Sequence, residues 1–322
     1  MVSSYGRDLK RHLLDHEPKF HRRCRYAQAV HRQCRAQAGR HRAAVLRLLA
    51  IACATLLLSA STTPQSFYAQ RLDASGLPVI ASARAPDEAL SAARNIVTDM
   101  LRHRPDLARW LAGAGYRVAV MAPDETTTDL PEQRHWTKPA PDDPRLTRCE
   151  RKHYATRIGA MTDRQYWDAR ARGMSGPLTS AGAENILALP GDRYRGENIL
   201  VHEFAHDVLA AIRAIDAPLY ARVERAYADA LRSGRWQGEY ASTTIDEYWA
   251  VGTQFHFNSG RLAAFDTVRV LSHRDLARYD PALAKLLRAA YGSRHRLAGD
   301  RWWNHPARVP AGPLPKFTAE VC

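Results

Sequence analysis

The chain has 322 residues, of which 45% are apolar and 25% charged, the balance of an ordinary globular protein with room for one large domain or two small ones. That balance excludes a mainly disordered or fibrous chain. The net charge is +14, but residues 1–43 carry 11 Lys/Arg against three acids, whereas the chain from Thr62 onward carries 35 basic and 30 acidic side chains. The basic excess therefore belongs mostly to a leader, which argues against nucleic-acid binding as the role of the folded body.

In chain order, residues 1–61 are the leader. Arg40, Arg42 and Arg47 precede the apolar run Leu48–Leu58, and the small residues Ser59, Ala60 and Ser61 follow. A charged stretch, an apolar core and a small-residue cleavage site describe a signal peptide. The run is shorter than the roughly 20 apolar residues of a membrane span. The expectation is cleavage near Ser61, with an uncleaved membrane anchor as the alternative. The basic stretch is long for a signal peptide, and Val45 is a plausible alternative start. Cys53 lies inside the apolar run, not after it, which disfavours a lipidation site. The resulting location is secreted, periplasmic or otherwise extracytoplasmic. Cys24, Cys34 and Cys53 fall in the leader, so only Cys149 and Cys322 remain beyond it, as a disulfide pair or as two unrelated thiols.

Residues 62–84 read as an extended segment leading into a catalytic domain over 85–322. A helix is predicted at about Glu88–His103 from Leu90, Ile96, Val97, Met100 and Leu101. Tyr116–Met121 reads as a strand, and residues 123–144, rich in Pro, Asp and Thr, as a long loop. Asn185–Leu189 reads as a short apolar strand closed by Pro190-Gly191-Asp192. Helices are predicted at about 196–215, 218–233, 246–257 and 274–291, with an irregular Pro-rich tail from Pro306. A few strands followed mainly by helices make this an α+β chain.

Residues 202–206 read His-Glu-Phe-Ala-His within an apolar helical context (Ile199, Leu200, Val201, Val208, Leu209). Side chains four apart leave a helix on one face, so His202 and His206 can offer two nitrogens to one zinc ion. Glu203 stands on the flank, where a carboxylate can take a proton from water without ligating the metal. A catalytic zinc needs a third protein ligand and an open position. Glu247, at the start of a predicted helix, is the leading candidate; Asp246 and His256 are its rivals. Asp246 reads more as a helix-start residue, and His256 lies on the opposite face of the helix from Glu247.

His-Glu-x-x-His with a Glu on a following helix resembles the gluzincin metallopeptidases, over about residues 184–258. The spacing is most similar to the anthrax-lethal-factor-like and Pro-Pro-endopeptidase-like branch, in which a Tyr stands seven residues before the ligand Glu. Tyr240 holds that place, and the resemblance implies that its hydroxyl meets the oxyanion of the tetrahedral intermediate. It also implies a zincin-like domain and an edge strand, here Asn185–Leu189, that pairs with the substrate backbone. The branch often has an acid four residues after the ligand Glu, facing the first His. Val251 stands there instead, leaving Gln254, Asp207 or a backbone carbonyl as substitutes.

The expected function is a secreted zinc metallohydrolase, one Zn2+ per chain, acting on a peptide or protein. Its metal ligands would be His202, His206 and Glu247, and its catalytic residues Glu203 and Tyr240. No nucleic-acid partner is expected, and membrane contact only through an uncleaved leader. The alternative is a weakly active or inactive zinc-retaining binding protein of the same fold.

Overall fold

A computed structural model describes residues 67–265 and 268–312. The leader, its cleavage site, Cys322 and the end of the Pro-rich tail lie outside the described residues.

The fold is α+β, with a small sheet ahead of the His-Glu-x-x-His helix and a mainly helical C-terminal part. The sheet begins inside the segment read as a lead-in. Strands β1 (Gln70–Ala74) and β2 (Leu77–Ala81) form an antiparallel hairpin. Its two-residue turn, Ser75-Gly76, takes positive φ at both positions (57° and 91°), the conformation that matches the natural twist of paired strands. Helices α1 (Asp87–Leu101) and α2 (Pro105–Gly113) then lead to β3 (Arg117–Met121), which runs parallel to β2. After helices α3 (Arg148–Lys152) and α4 (Asp163–Arg170), strands β4 (Gly173–Met174) and β5 (Leu178–Gly182) complete a sheet of order β1-β2-β3-β5-β4. Strand β5 is parallel to β3, and β4 is an antiparallel edge.

Both faces of the central strands are covered. Val79, Ala81, Val118 and Val120 join α1 in the main core, while Ile80, Ala119 and Met121 pack with Leu130 and Leu178 on the other side. This is why β3 reads as an unbroken apolar run and not as an alternation. The 123–144 stretch is irregular apart from one turn of 3-10 helix, Thr127–Asp129. It is fastened down: Glu125 accepts from the Ala122 amide at 2.7 Å, and the Thr127 hydroxyl donates to the Ala171 carbonyl at 2.6 Å. Cys149 is buried and disulfide-bonded.

Two expectations are corrected here. Asn185–Leu189 is not a strand: Ala183–Ile186 is a one-turn helix, α5, and the Asn185 side chain caps neighbouring backbone instead of joining a ladder. Four apolar residues in a row carry no period of their own, and packing of Ile186 into the core decided their state. The single helix expected over 274–291 is two, His273–Tyr279 and Pro281–Tyr291. Pro281 has no N–H to continue the first, while Asp280 caps the second by accepting from Leu283 N at 3.0 Å.

The remaining helices are α6 (Ile199–Ile215), α7 (Ala217–Arg232) and α8 (Ile245–His256); the halves of the divided helix are α9 and α10. At the C-terminal end of α8, His256 is buried among Phe257, Tyr291 and His295, and the His295 ring stacks on His273 at 3.7 Å. Among the described residues His256 Nε2 has no hydrogen-bond partner. Burial first, then the charges of His295, His273 and Arg288, push the His256 pKa down to about 3. A neutral imidazole in the fold that can charge freely when unfolded stabilises the protein above the unfolded pKa of about 6.5 and ceases to do so as pH falls. Urea unfolding at a series of pH values below 6.5 should therefore show stability falling by up to about 1.4 kcal/mol per pH unit from this group. His256→Leu should flatten that slope; an unchanged slope would assign the acid sensitivity elsewhere.

Candidate active site

Helix α6 starts at Asn198, whose side-chain oxygen accepts from the Val201 amide, and Asn185 Oδ1 takes the Ile199 N–H at 2.8 Å. Buried residues surround most of this helix (Leu200, Val201, Phe204, Ala205, Val208, Leu209), so it is held rigidly in the core. The His202 and His206 rings leave it on the same side, with centroids 5.0 Å apart. Helix α8 packs across α6 and starts at Thr244, which caps it by accepting from the Glu247 N–H at 3.1 Å. That cap places Glu247 in the first turn of α8, facing the imidazoles.

The three side chains converge. Glu247 Oε2 is 3.0 Å from His202 Nε2 and 3.7 Å from His206 Nε2. Among the described residues they are the one group of three potential metal ligands whose donor atoms all lie within 4.8 Å of one another. The rivals stand apart. Asp246 points to Arg213 at 3.6 Å, and His256 is at the far end of α8 in its aromatic pocket.

The partner of His202 is Gln254. Its Nε2 donates to the Asn198 carbonyl at 3.2 Å, which turns its Oε1 toward His202 Nδ1 at 3.1 Å. An amide oxygen only accepts, so Nδ1 carries a proton and Nε2 is the nitrogen turned toward Glu247. In the neutral ring Nε2 is an acceptor, and it would face the acceptor Glu247 Oε2, buried without a hydrogen bond among the described residues, at 3.0 Å. Such a pair needs a proton or a cation between them. Two nitrogens and one carboxylate oxygen, aimed at one point with a side left open, fit a catalytic zinc ion. Asp207, the other candidate partner, turns away to Thr179 and the Gly176 amide. Val251 lines the groove beside Gln254.

The electrostatics of the metal-free side chains follow from burial and mutual contact. Burial by itself would lower the His202 pKa; contact with Glu247 and the charge of Glu203 reverse that and lift it to about 9. Burial and the neighbouring His202 press His206 down to about 4. Beyond the one proton of each neutral ring, the two imidazoles thus share about one more, held by the carboxylates beside them. Burial, against the opposing charge of His202 and hydrogen bonds from Ser175, pushes the Glu203 carboxyl up to about 7.

Tyr240 lies in the 3-10 turn Tyr240–Ser242, its ring stacked 6.3 Å from that of His202. Its hydroxyl donates to Glu247 Oε1 at 3.0 Å. Burial of the hydroxyl end, then the charge of Glu247, raises its pKa, so it stays protonated and a donor.

All five side chains line one open groove of about 1000 Å³. Its other wall, with Glu150, Arg170 and Ser175, comes from the stretch between β3 and β5. Sequence reading missed that wall, because nothing in its spacing marks it. Arg170 pairs with Glu150 at 2.9 Å, and across the groove Arg261 pairs with Glu197 at 3.1 Å.

No protein-family model matches the chain, and no curated protein matches it. Among solved structures it is similar to a Pro-Pro endopeptidase from Paenibacillus alvei, with a TM-score of 0.39 and 14% identity over 65% of this chain and 95% of that one. A likeness at this level assigns no function, which has to be argued from the site itself.

Proposed function

We propose that the protein is an exported zinc metallopeptidase, with His202, His206 and Glu247 as metal ligands, Glu203 as general base and Tyr240 as oxyanion donor. One observation carries this reading: three ligand atoms within 4.8 Å of one another, two of them 3.0 Å apart, in the same groove as the half-buried Glu203. A bound zinc ion would supply Lewis acidity, lowering the pKa of a water toward about 7 and polarising a carbonyl. The rest is the work of side chains. Gln254 holds the His202 tautomer that presents Nε2. Tyr240 holds Glu247 through Oε1, leaving Oε2 to the metal. Glu203 takes a proton from the attacking water and passes it to the leaving amine. No covalent intermediate is needed. The groove is open enough for an extended peptide. The leader over residues 1–61 directs export, and an uncleaved leader would anchor the protein to a membrane.

The deciding experiment pairs elemental analysis of the purified protein with cleavage of a peptide library. About one zinc per chain is expected, as is cleavage that a chelator abolishes and added zinc restores. His206→Ala should lose the metal and the activity together. Full zinc in that variant removes His206 from the site, and a zinc-loaded parent that cleaves nothing would favour a binding role.

A further inference from the structure

Gln254, which faces His202, is itself held from several sides. It lies buried near the end of α8, and the chain turns back soon after it. Ser259 N donates to the Gln254 carbonyl at 2.8 Å, and a Cβ on Gly260 would stand 3.2 Å from Gln254 Cβ. The Asn198 N–H donates to the Ser259 carbonyl at 2.9 Å, which joins this turn to the start of α6. Arg261 thereby comes beside Glu197, the residue before the α6 cap, with Nη2 3.1 Å from Glu197 Oε1. The other oxygen, Glu197 Oε2, accepts from Gln254 Nε2 at 3.4 Å, and the Asn198 carbonyl accepts from the same nitrogen at 3.2 Å. Gln254 Oε1 faces His202 Nδ1 at 3.1 Å. A line of side chains thus runs from the wall of the groove to the imidazole: Arg261, Glu197, Gln254, His202.

A side-chain amide has two N–H donors at one end and an oxygen acceptor at the other. Turned end for end, Gln254 would set its oxygen against a carbonyl and a carboxylate. These two acceptors therefore choose the orientation in which oxygen meets His202. The Asn198 carbonyl is neutral, whereas Glu197 brings a charge. Hydrogen bonds in a row polarise one another, so a carboxylate drawing on Nε2 makes Oε1 a stronger acceptor and the imidazole a better metal ligand. Val251, one turn after Glu247, has no polar side-chain atom to do this. We propose that Glu197 is a positioning residue for the metal centre. It acts on His202 through the Gln254 amide, and supplies at one remove the charge that a carboxylate touching Nδ1 would supply directly. Arg261 holds the other oxygen of Glu197 in place. This rests on the reading of His202 as a zinc ligand.

The first test needs no activity and uses zinc alone, its dissociation constant read by competition with a chelator. Gln254→Met keeps the side-chain volume and loses the amide. It should weaken zinc binding by about 10- to 100-fold, the usual effect of losing the partner of a metal-bound imidazole. Glu197→Ala, at a half-buried side chain, should weaken it by about 3- to 10-fold, less because it acts one bond further out. In the double variant, Glu197→Ala should add less than about twofold, since the amide that carries its effect is gone. Equal weakening by Glu197→Ala in both backgrounds means that Glu197 acts independently of Gln254, and overturns the proposal. So does a Glu197→Ala affinity equal to that of the parent. The second test does not depend on the Gln254 variant. In the zinc-loaded protein, NMR should show a His202 Nδ1 proton protected from exchange with water, and Glu197→Ala should speed that exchange by about fivefold or more. An unchanged rate overturns the link through Gln254. Either failure with a parent that binds zinc leaves the metal-site reading intact, whereas a parent that binds no zinc overturns both.

Discussion

Glu203→Gln is expected to keep its zinc and its fold and to lose about 10²–10⁴-fold in kcat. The substitution changes one carboxylate oxygen to an amide nitrogen and leaves the volume of the half-buried side chain almost untouched. Neither the His202–His206–Glu247 cluster nor Gln254 uses that oxygen, so metal affinity should stay within a few-fold. What disappears is the ability to take a proton from water and return it to the leaving amine, since a neutral amide is not a base at any working pH. The close approach of Gly173 to the Glu203 stem does not involve the changed atom, so the packing of the edge hairpin against α6 should survive. Zinc content, thermal unfolding and kcat measured on one preparation check all three statements. Turnover close to that of the parent would exclude Glu203 as the base. Zinc loss would place its carboxylate in the ligand set instead.

Tyr240→Phe is expected to lower kcat by about 10²–10³, roughly 2.7–4 kcal/mol, the usual effect of removing one oxyanion donor. KM should move much less, because the ground-state carbonyl makes little use of a bond that strengthens as charge develops. The structure adds a condition that spacing could not supply. The hydroxyl already donates to Glu247 Oε1 at 3.0 Å, so the oxyanion contact requires it to exchange that bond. If its main work is to hold Glu247, the phenylalanine variant will show weaker zinc affinity, and excess zinc will restore most of its kcat. If its work is at the oxyanion, zinc affinity will hold and excess zinc will not help. The ring stacked against His202 is kept in both cases, so unfolding should change little. Full zinc with kcat within about threefold of the parent, far short of the expected loss, would leave Tyr240 as a packing residue.

These two variants test residues that entered the argument by different routes. Glu203 is marked by local sequence: it sits between two histidines four apart in a run of apolar residues that can only be a buried helix. Tyr240 and Glu247 entered by spacing, and their meeting at one carboxylate depends on α8 crossing α6 at the right height. The Thr244 cap contributes locally by fixing Glu247 in the first turn. The crossing itself comes from packing between two helices whose contact residues are spread along the chain.

The same division runs through the whole molecule. Sequence alone determined whatever depends on the helical or strand period within one segment. This covers the amphipathic α1, the buried run of β3, the common face of His202 and His206, and the long irregular connection after β3. Local chemistry also determined caps at Thr244 and Asp216, because a side-chain oxygen three residues before a backbone amide needs no distant partner. Only the tertiary structure decided which of Gln254 and Asp207 faces His202. Both are polar and both are close in sequence to a proposed ligand; they are separated by where each helix face meets its neighbour. It also decided that Asn185–Leu189 is not the edge strand and that β4, two residues long, is. A strand is defined by its partner's backbone, and a short segment holds no record of that partner.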